Sequence, residues 1–372
     1  MKKILFITGT RADFGKIEPL AKAAIAEGHH VGFFVTGMHM MKKYGSTHME
    51  VRNVKGAEIF EYVNQKEGDE LDSILAKTIV GFSDFIHENN QDLVVIHGDR
   101  AEATAVSLVC AVNHVYSAHI EGGEVSGTID ESLRHCNTKL CLTHFVSSRD
   151  ALNRVIRLGE AKDSVYLIGS PELDSHSKSS GIDVAEVKAR YGITFNHYGV
   201  VVFHSVTSER ENMGLQAQKL FEALTKSCRN FVVIAPNNDP GSQEIFEVLN
   251  NLPTERFRVI PSMRFKYFSE LLKNSAVVVG NSSMGVREAP FLGISSINIG
   301  SRQNNRGVSE SIVNCSAFDE DQIIALLSSK FWNKRYNSMK SFGSGNSSSK
   351  FIKILSSEEF WSHSTQKTFF DN

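Results

Sequence analysis

The sequence predicts an α/β protein built from two doubly wound halves that face a central cleft. Two observations predict this fold. Short apolar runs that end in Gly, Ser or Asp recur along the chain, as in "KILFITGT" and "LVVIHGD", and such continuous runs are typical of parallel strands covered on both faces. Stretches with helical spacing of apolar residues, such as "AEATAVSLVCAVN", separate most of these runs. Strands that alternate with helices indicate a doubly wound sheet.

The apolar runs fall into two series. The first contains "KILFITGT", "HVGFFVTG", "LVVIHGD", "VYSAHIEGG", "HFVSS" and "VYLIGSP". The second begins near residue 198 and contains "YGVVVFHS", "NFVVIAP", "FRVIPS", "AVVVGNSS" and "SINIGS". Helical stretches lie between them, such as "KIEPLAKAAIAEG", "GLQAQKLFEALTKSC" and "FKYFSELLKNS". The polar, Ser-rich segment 170–183 marks the join, so we expect domains of residues 1–172 and 173–345, followed by a tail, 346–372.

Composition narrows the class of protein. The chain has 372 residues, of which 41% are hydrophobic and 22% charged, as is usual for a globular protein. A net charge of −2 creates no field that favours nucleic acid or a membrane surface. The chain has no apolar run of transmembrane length, and "ILFI" near the start is too short for a signal peptide. Five cysteines without a CxxC pair favour a reducing compartment. We expect a cytoplasmic protein without nucleic-acid or membrane partners.

Ligands of doubly wound sheets bind beyond the carboxyl ends of the strands, so the loops after strands are the candidate sites. The loop "GTRADFGK" (9–16) is similar to a P-loop at first sight. Five residues separate Gly9 from Gly15, where a P-loop has four, and Ile17 follows Lys16 in place of Ser or Thr. The ATPase hypothesis therefore fails. A turn that opens a helix and carries Arg11 and Lys16 suits a phosphate; the alternative is a plain turn with surface cations.

Two further loops of the first half carry carboxylates. Asp99 in "HGDRAEA" follows a strand and precedes a helix, so it could cap that helix or act in a site. In "HIEGGEVSGTIDESLRH" (119–135), Asp130 and Glu131 begin a helix, where acidic residues favour the positive end of the dipole. Glu121 has no helix to cap. It lies at a strand end, and two glycines after it allow a ligand to approach the backbone.

In the second half, "VVFHSVTSEREN" places His204 after the first strand, where a structural and a functional role are both open. The segment "VVVGNSSMGVREAP" (277–290) passes from a strand into a helix. The hydroxyl groups of Ser282 and Ser283 and the nearby backbone N–H groups suit a pyrophosphate. Glu288, about one turn into that helix, could reach the hydroxyls of a ribose. The alternative is a capping segment with a surface glutamate.

Metal chemistry is not expected. "FDED" (318–321) contains Asp-x-Asp, which holds a metal in some glycosyltransferases, but it directly precedes "QIIALL" and is typical of a helix start. The 14 histidines show no HExxH spacing. The sequence therefore predicts neither a catalytic metal nor a cofactor.

Five of these motifs occur in an order and at separations that resemble a known family: "GTRADFGK", "HGDR", "HIEGGEVSGTIDESLRH", "FHSVTSE" and "GNSSMGVREAP". Over about residues 1–310, the chain resembles the UDP-N-acetylglucosamine 2-epimerases. Non-hydrolysing members usually have "GTRPE", "EAGLRT" and "SGGxQEEAP". This chain has "GTRAD", "EGGEVSG" and "SSMGVREAP", and so resembles the hydrolysing branch of sialic acid biosynthesis, although Met284 stands where that branch often has Ser.

The resemblance implies two Rossmann-like domains of the GT-B class, with a C-terminal helix that crosses back onto the first domain. It also implies a UDP-sugar substrate and a homodimer or homotetramer. The catalytic residues that it implies are Asp99, Glu121, Asp130 and His204. The substrate-binding residues that it implies, with a nucleotide loop at 298–307, are Arg11, Lys16, Glu131, Arg134, Ser282, Ser283, Gly285, Glu288, Arg302 and Arg306.

The implied reaction converts UDP-N-acetylglucosamine and water to N-acetylmannosamine and UDP through a glycal. It needs a base at C2, a proton donor on the opposite face and support for the departing diphosphate, which several carboxylates and cations around one sugar would supply. Three alternatives stay open: the same reaction on UDP-N,N′-diacetylbacillosamine, used for legionaminic acid; a glycosyltransferase on the same fold; and a non-catalytic UDP-sugar binding protein.

Overall fold

The computed structural model describes residues 1–126, 128–368 and 370. The chain forms two compact units. The first unit comprises Met1–Glu124, Asp130–Ser177 and Ser341–Asn372, and the second comprises Val125–Ile129 and Lys178–Lys340. Each unit contains a parallel sheet with helices between most successive strands, so the doubly wound α/β class is confirmed.

In the first unit, the part of the chain that the structure describes forms a seven-stranded sheet in the order β3-β2-β1-β4-β5-β6-β7, with every pair parallel. Its strands are β1 (Lys3–Thr8), β2 (His30–Val35), β3 (Ala57–Glu61), β4 (Leu93–His97), β5 (Ser117–Ile120), β6 (Thr143–Val146) and β7 (Val165–Leu167). Its first helices are α1 (Arg11–Ala26), α2 (His48–Val51), α3 (Leu71–Glu88), α4 (Ala101–Val112), α5 (Ile129–Leu140), α6 (Arg149–Arg157) and α7 (Glu172–Ser177).

Side chains of β1 alternate between two cores. Ile4 and Phe6 lie on one face with residues of α1, and Leu5 and Ile7 lie on the other with residues of α3 and α4. The four side chains are almost completely buried, which explains the continuous apolar run, since a parallel strand covered on both faces has no polar side. Burial of each such side chain stabilises the unit by about 1.5–3 kcal/mol.

The C-terminal segment completes the first core. Two helices, α14 (Ser347–Leu355) and α15 (Glu358–Trp361), place Phe351 and Phe360 in the same cluster as Phe6 and Phe145. The Asp174 carboxylate of α7 accepts hydrogen bonds from backbone N–H groups at the start of α14, at 2.8 and 2.7 Å, and so caps that helix. The expectation that a C-terminal helix returns to the first domain is confirmed.

In the second unit, the described residues form a six-stranded parallel sheet in the order β10-β9-β8-β11-β12-β13. Its strands are β8 (Gly199–Val202), β9 (Phe231–Ile234), β10 (Phe257–Ile260), β11 (Val277–Gly280), β12 (Ser295–Ile299) and β13 (Ile312–Cys315). Its helices are α8 (Val184–Tyr191), α9 (Met213–Lys226), α10 (Ser242–Asn250), α11 (Phe265–Lys273), α12 (Glu288–Phe291) and α13 (Glu320–Ser328). In β8, Val201 packs in the core that includes α9, and Val200 packs in the core that includes α11.

Two strands were missed by the sequence analysis, β3 and β13. Each lies at an end of its sheet. The side chains of their sequences, "AEIFE" and "IVNC", are mostly only half-buried or exposed. The apolar run that identifies a central strand is therefore absent from both. Across the described residues, every helix is too short or too polar to cross a bilayer.

The first unit buries three histidines that resist protonation. Burial lowers the pKa of His39 and His144 to about 4 and that of His119 to about 3. Each stays neutral in the folded unit at pH values where the unfolded chain binds a proton. Stability is therefore lost as pH falls below about 6.5, by up to about 1.4 kcal/mol per pH unit for each histidine.

We expect the free energy of unfolding of the first unit to fall between pH 6.5 and 5, where most Asp and Glu side chains remain ionised. The measurement is urea unfolding in a Trp332→Phe background, followed by the fluorescence of Trp361. His144→Gln removes one of the three groups and should make this pH dependence shallower. A free energy of unfolding that stays constant over this range would contradict the prediction.

Candidate active site

Glu121 lies just beyond β5 in an unusual backbone conformation. Its φ is +67°, a left-handed value that non-glycine residues seldom adopt and that costs on the order of 1–3 kcal/mol. Its N–H donates to the carbonyl of Phe145 at 3.0 Å, and the residue is only 4% exposed. Strained backbone of this kind persists where the surroundings fix it, and it is concentrated in functional sites.

The Glu121 carboxylate is the centre of a group of polar side chains that are buried or half-buried. Lys16 Nζ lies 3.2 and 3.0 Å from its two oxygens, and His97 Nε2 lies 3.4 Å from Oε2. The Ser170 hydroxyl is 3.1 Å from Oε1 and 2.9 Å from Glu172 Oε1. We call these five residues the Glu121 cluster. A lysine that contacts both oxygens favours the ionised form of Glu121.

The two glycines after Glu121 are required by packing within the protein. A Cβ on Gly122 would lie 2.9 Å from Thr138 Oγ1, and a Cβ on Gly123 would lie 2.2 Å from the carbonyl oxygen of Ala151. Gly123 also has a φ of +76°. Packing within the protein thus accounts for both glycines.

Asp99 lies between β4 and α4 and contacts Arg134 of α5, whose side chain is buried. The helix-cap hypothesis for Asp99 is wrong, because the cap residue of α4 is Arg100. Arg134 also donates to the carbonyl oxygen of Glu124 at 3.2 Å. The guanidinium thereby joins the loop after β4 to the loop after β5. This contact positions the predicted catalytic carboxylate of Asp99.

The backbone before Asp99 is fixed from two sides. The carbonyl oxygen of Gly98 lies 2.7 Å from His119 Nε2 and 3.1 Å from Asn137 Nδ2. A carbonyl only accepts, so His119 carries its hydrogen on Nε2. Burial, which lowers its pKa to about 3, keeps this ring neutral and the hydrogen bond in one tautomer.

The predicted helix after the glycines is confirmed as α5. Asp130 and Glu131 lie in its first turn and are half-buried, and Glu131 Oε1 is 3.6 Å from His135 Nε2 one turn later. The predicted turn at 9–16 opens α1, where Thr10 and Asp13 form a reciprocal capping box. Arg11 begins this helix, and its Nε lies 3.3 Å from a Glu50 oxygen.

In the second unit, His204 follows β8 and is held by two asparagines. Asn281 accepts from the His204 N–H at 2.7 Å and donates to its carbonyl oxygen at 2.8 Å. The N–H of Asn237 donates to His204 Nδ1 at 3.2 Å. Since Nδ1 accepts, the neutral ring carries its hydrogen on Nε2. The half-buried ring is thus fixed in orientation and tautomer.

Asn281 also contacts the predicted nucleotide loop, residues 298–307. The backbone carbonyl oxygen of Asn281 accepts from Arg302 Nη1 at 3.3 Å and from Gln303 Nε2 at 2.9 Å. Arg306 then donates to Gln303 Oε1 at 3.1 Å. Asn281 therefore connects two of the predicted arginines with the backbone of His204.

The predicted pyrophosphate segment is less regular than expected. Ser282 caps a single 3₁₀ turn, Ser283–Gly285, and both serines are half-buried. Gly285 is needed for packing, since a Cβ there would lie 2.8 Å from Ser296 Oγ. Glu288 is buried and begins the separate four-residue helix α12, so its placement one turn into a continuous helix is wrong.

The Asp-x-Asp motif forms a helix start, as predicted, because Asp319 caps α13 and accepts from the N–H of Gln322 at 3.1 Å. Among the residues that the structure describes, no group of three or more His, Cys, Asp or Glu side chains is arranged to hold a metal ion. The five cysteines are free.

The sequence analysis missed several residues that the structure brings to these places: His97, Ser170, Glu172 and Gln303. Ser170 and Glu172 follow β7, so the rule that sites lie after strands points to them. Their segment was interpreted as a linker because it is polar and rich in serine.

Comparison with known proteins identifies the family. A family model described as UDP-N-acetylglucosamine 2-epimerase matches residues 23–356. The chain is 40% identical to a UDP-N-acetylglucosamine 2-epimerase of Neisseria meningitidis serogroup B, over 100% of this chain and 99% of that protein. It is 29% identical to the UDP-N,N′-diacetylbacillosamine 2-epimerase (hydrolyzing) of Legionella pneumophila, over 95% and 96%.

The fold is shared with solved structures. A crystal structure of UDP-GlcNAc 2-epimerase from Neisseria meningitidis bound to UDP-GlcNAc superposes with a TM-score of 0.77 at 18% identity, covering 95% of this chain and 99% of that one. This likeness confirms the two Rossmann-like domains of the GT-B class. With the family model and the sequence identity across the full length, it follows that the chain belongs to the UDP-N-acetylglucosamine 2-epimerase family.

Proposed function

We propose that this protein is a hydrolysing 2-epimerase that converts UDP-N-acetylglucosamine and water to N-acetylmannosamine and UDP. The observation that carries the proposal is the Glu121 carboxylate, which is buried, paired with Lys16 and held in a left-handed backbone conformation in a member of an epimerase family. The motifs "GTRAD", "EGGEVSG" and "SSMGVREAP", which resemble the hydrolysing branch, support the hydrolytic outcome. The product suits sialic-type acid biosynthesis in the cytoplasm, and no cofactor is required.

The chemistry explains the need for several carboxylates. The C2 proton of the sugar has no neighbouring carbonyl and is only weakly acidic. Its removal becomes feasible when UDP departs from C1 in the same event, which leaves a glycal. Water then adds at C1, and a proton returns to C2 from the other face. We assign these proton transfers to Asp99, Glu121 and Asp130, each of which would contribute about 10²–10⁴-fold.

The other predicted residues bind and neutralise the nucleotide in this proposal. His204 and the loop with Arg302 and Arg306 stabilise the departing diphosphate, and their fixed orientation through Asn281 reduces the reorganisation that binding requires. Ser282 and Ser283 donate to the phosphates, and Glu288 accepts from the ribose. Arg11, Lys16, Glu131 and Arg134 line the sugar-phosphate site in the first unit.

A second candidate is the same reaction on UDP-N,N′-diacetylbacillosamine. The relative from Legionella pneumophila, whose name gives that substrate, is 29% identical over nearly the whole chain. The two sugars differ at C4 and C6, away from the reacting carbons. The same proton-transfer residues would therefore serve either substrate. In this proposal the protein acts as a homodimer or homotetramer on either substrate.

The proposal is tested by incubating the protein with each UDP-sugar in deuterated water, without acceptor, and following the products by proton NMR. We expect free UDP and a manno-configured sugar that carries deuterium at C2. The sugar that reacts faster identifies the substrate. Accumulation of a UDP-linked epimer would contradict hydrolysis but keep the epimerase chemistry. Absence of turnover of both sugars would contradict the proposed function and favour a transferase or a binding protein.

A further inference from the structure

Lys367, close to the end of the chain, places its ammonium group against the C-terminal end of α5. Nζ donates to the carbonyl oxygen of Thr138 at 2.7 Å and also to that of Cys141. The side chain is only 19% exposed, and Glu160 Oε2, 2.6 Å from Nζ, supplies the opposite charge. The site described above contains no residue of this C-terminal segment.

The end of α5 needs a donor from elsewhere in the protein. The last carbonyl groups of a helix have no partner within the helix. The N–H of Leu142, which a further helical turn would direct at the Thr138 carbonyl, donates instead to the carbonyl oxygen of Ser117 at 3.0 Å. Lys367 supplies a donor to Thr138, and its positive charge also complements the negative end of the helix dipole. A residue 229 positions away thus fixes the end of α5.

This end of α5 contacts the backbone that carries Asp99. Thr138 Oγ1 lies 3.1 Å from His119 Nδ1, and His119 Nε2 lies 2.7 Å from the carbonyl oxygen of Gly98. Asn137 Nδ2 donates to the same carbonyl at 3.1 Å. Gly98 directly precedes Asp99 in the chain, so two consecutive residues of α5 hold the backbone next to this carboxylate.

The same helix also packs against the loop that follows Glu121. A Cβ on Gly122 would lie 2.9 Å from Thr138 Oγ1, so the backbone next to Glu121 is packed directly on this hydroxyl. Arg134, one turn earlier on α5, contacts Asp99. Packed interiors transmit displacements because they contain little free space. A shift of the end of α5 would therefore move Asp99 and the loop after Glu121.

We propose that Lys367 is a positioning residue for the reaction. By fixing the end of α5, it holds the carboxylates of Asp99 and Glu121 in the geometry that the proton transfers require. A displacement of about 1 Å at reacting groups can cost about 10²-fold in rate, so a contact distant from the sugar can affect turnover. This role rests on the proposed function.

Lys367→Met keeps the length of the side chain and removes its charge and its donors. We expect kcat for UDP release to fall about 3- to 30-fold, the usual range for contacts that act through a packed network. The dissociation constant of UDP should change less than about twofold, because most of the proposed nucleotide-binding residues belong to the second unit. Lys367→Arg keeps a cation with donors at this place and should retain more kcat than Lys367→Met.

Tyr166→Phe is the matched control, because it weakens the same C-terminal segment away from α5. It removes the hydroxyl of β7 that lies 3.1 Å from His363 Nε2. Glu160→Gln is a second control, since it keeps a side-chain oxygen near Lys367 and both carbonyl contacts. We expect both variants to have kcat close to the wild-type value.

Amide hydrogen exchange tests the proposal independently of activity. In Lys367→Met, exchange of residues 137–142 should be faster than in the wild type, while β1 and β4 keep their protection. Unchanged exchange of 137–142 would overturn the proposal, as would wild-type kcat in Lys367→Met or an equal loss in Tyr166→Phe. Loss of protection throughout the first unit would show a general structural role and overturn it too. If the wild type releases UDP from neither sugar, the proposed function fails, while exchange still decides whether Lys367 fixes α5.

Discussion

Glu121→Gln is expected to lower the rate of UDP release by about 10²–10⁴-fold, with little change in the affinity for UDP. The substitution keeps the shape of the side chain and removes its charge and its capacity to take up or release a proton. The measurement is kcat for UDP release, together with the dissociation constant of UDP from calorimetry. A variant that keeps wild-type kcat would show that this carboxylate performs no proton transfer.

Glu160→Gln is the matched control for this variant. Glu160 is also a buried carboxylate with lysine partners, Lys367 Nζ at 2.6 Å and Lys139 Nζ at 2.7 Å. Burial alone would raise its pKa, but the hydrogen bond from His144 and the nearby lysines hold the pKa below its usual range. We expect Glu160→Gln to destabilise the first unit and to leave kcat close to the wild-type value. Loss of kcat in both variants would point to a shared structural effect.

Phe351→Ala is expected to reduce the free energy of unfolding of the first unit by about 3–5 kcal/mol, as for other large-to-small changes in packed cores. The ring is fully buried, and its centroid lies 4.9 Å from that of Phe145 and 6.3 Å from that of Phe6. Truncation would leave a cavity between the sheet and α14.

The two tryptophans allow each unit to be followed separately, because Trp361 belongs to the first unit and Trp332 to the second. Urea unfolding of Phe351→Ala in a Trp332→Phe background should show the shift in the Trp361 transition. Phe318→Ala, which removes a ring that is 52% exposed, should move the Trp332 transition in a Trp361→Phe background by less than about 0.5 kcal/mol. An unchanged Trp361 transition would mean that α14 contributes nothing to the stability of the first unit.

The central strands and the main helices could be predicted because their signals are local. An apolar run such as "LVVI" suffices for β4, and the spacing of apolar residues suffices for α9. The edge strands β3 and β13 lack that signal, since most of their side chains are half-buried or exposed. The same reasoning assigned Glu121 to a strand end, and the structure places it there.

Pairing between distant residues could not be predicted. Lys16 and Glu121 are separated by 105 positions, and nothing in either loop specifies the other. Aspartate is a common helix-cap residue, so the residue type of Asp99 was compatible with a cap. Only the folded structure shows that Asp99 contacts Arg134. Ser170 and Glu172 were overlooked because a polar, Ser-rich segment has the composition of a linker, while burial depends on what packs over it.

The return of the C-terminal helices to the first unit has a consequence for how the chain is made. Phe6 and Phe145 leave the ribosome well before Phe351 and Phe360, since Lys178–Lys340 of the second unit is translated in between. At about 5–20 residues per second, synthesis of the chain between Phe145 and Phe351 lasts roughly 10–40 s. During synthesis, the part of the first sheet's face that α14 and α15 cover in the complete protein therefore stays apolar and exposed until the last part of the chain is made. A nascent chain stalled before residue 341 should bind chaperones through that face, and release of the complete chain should end the binding.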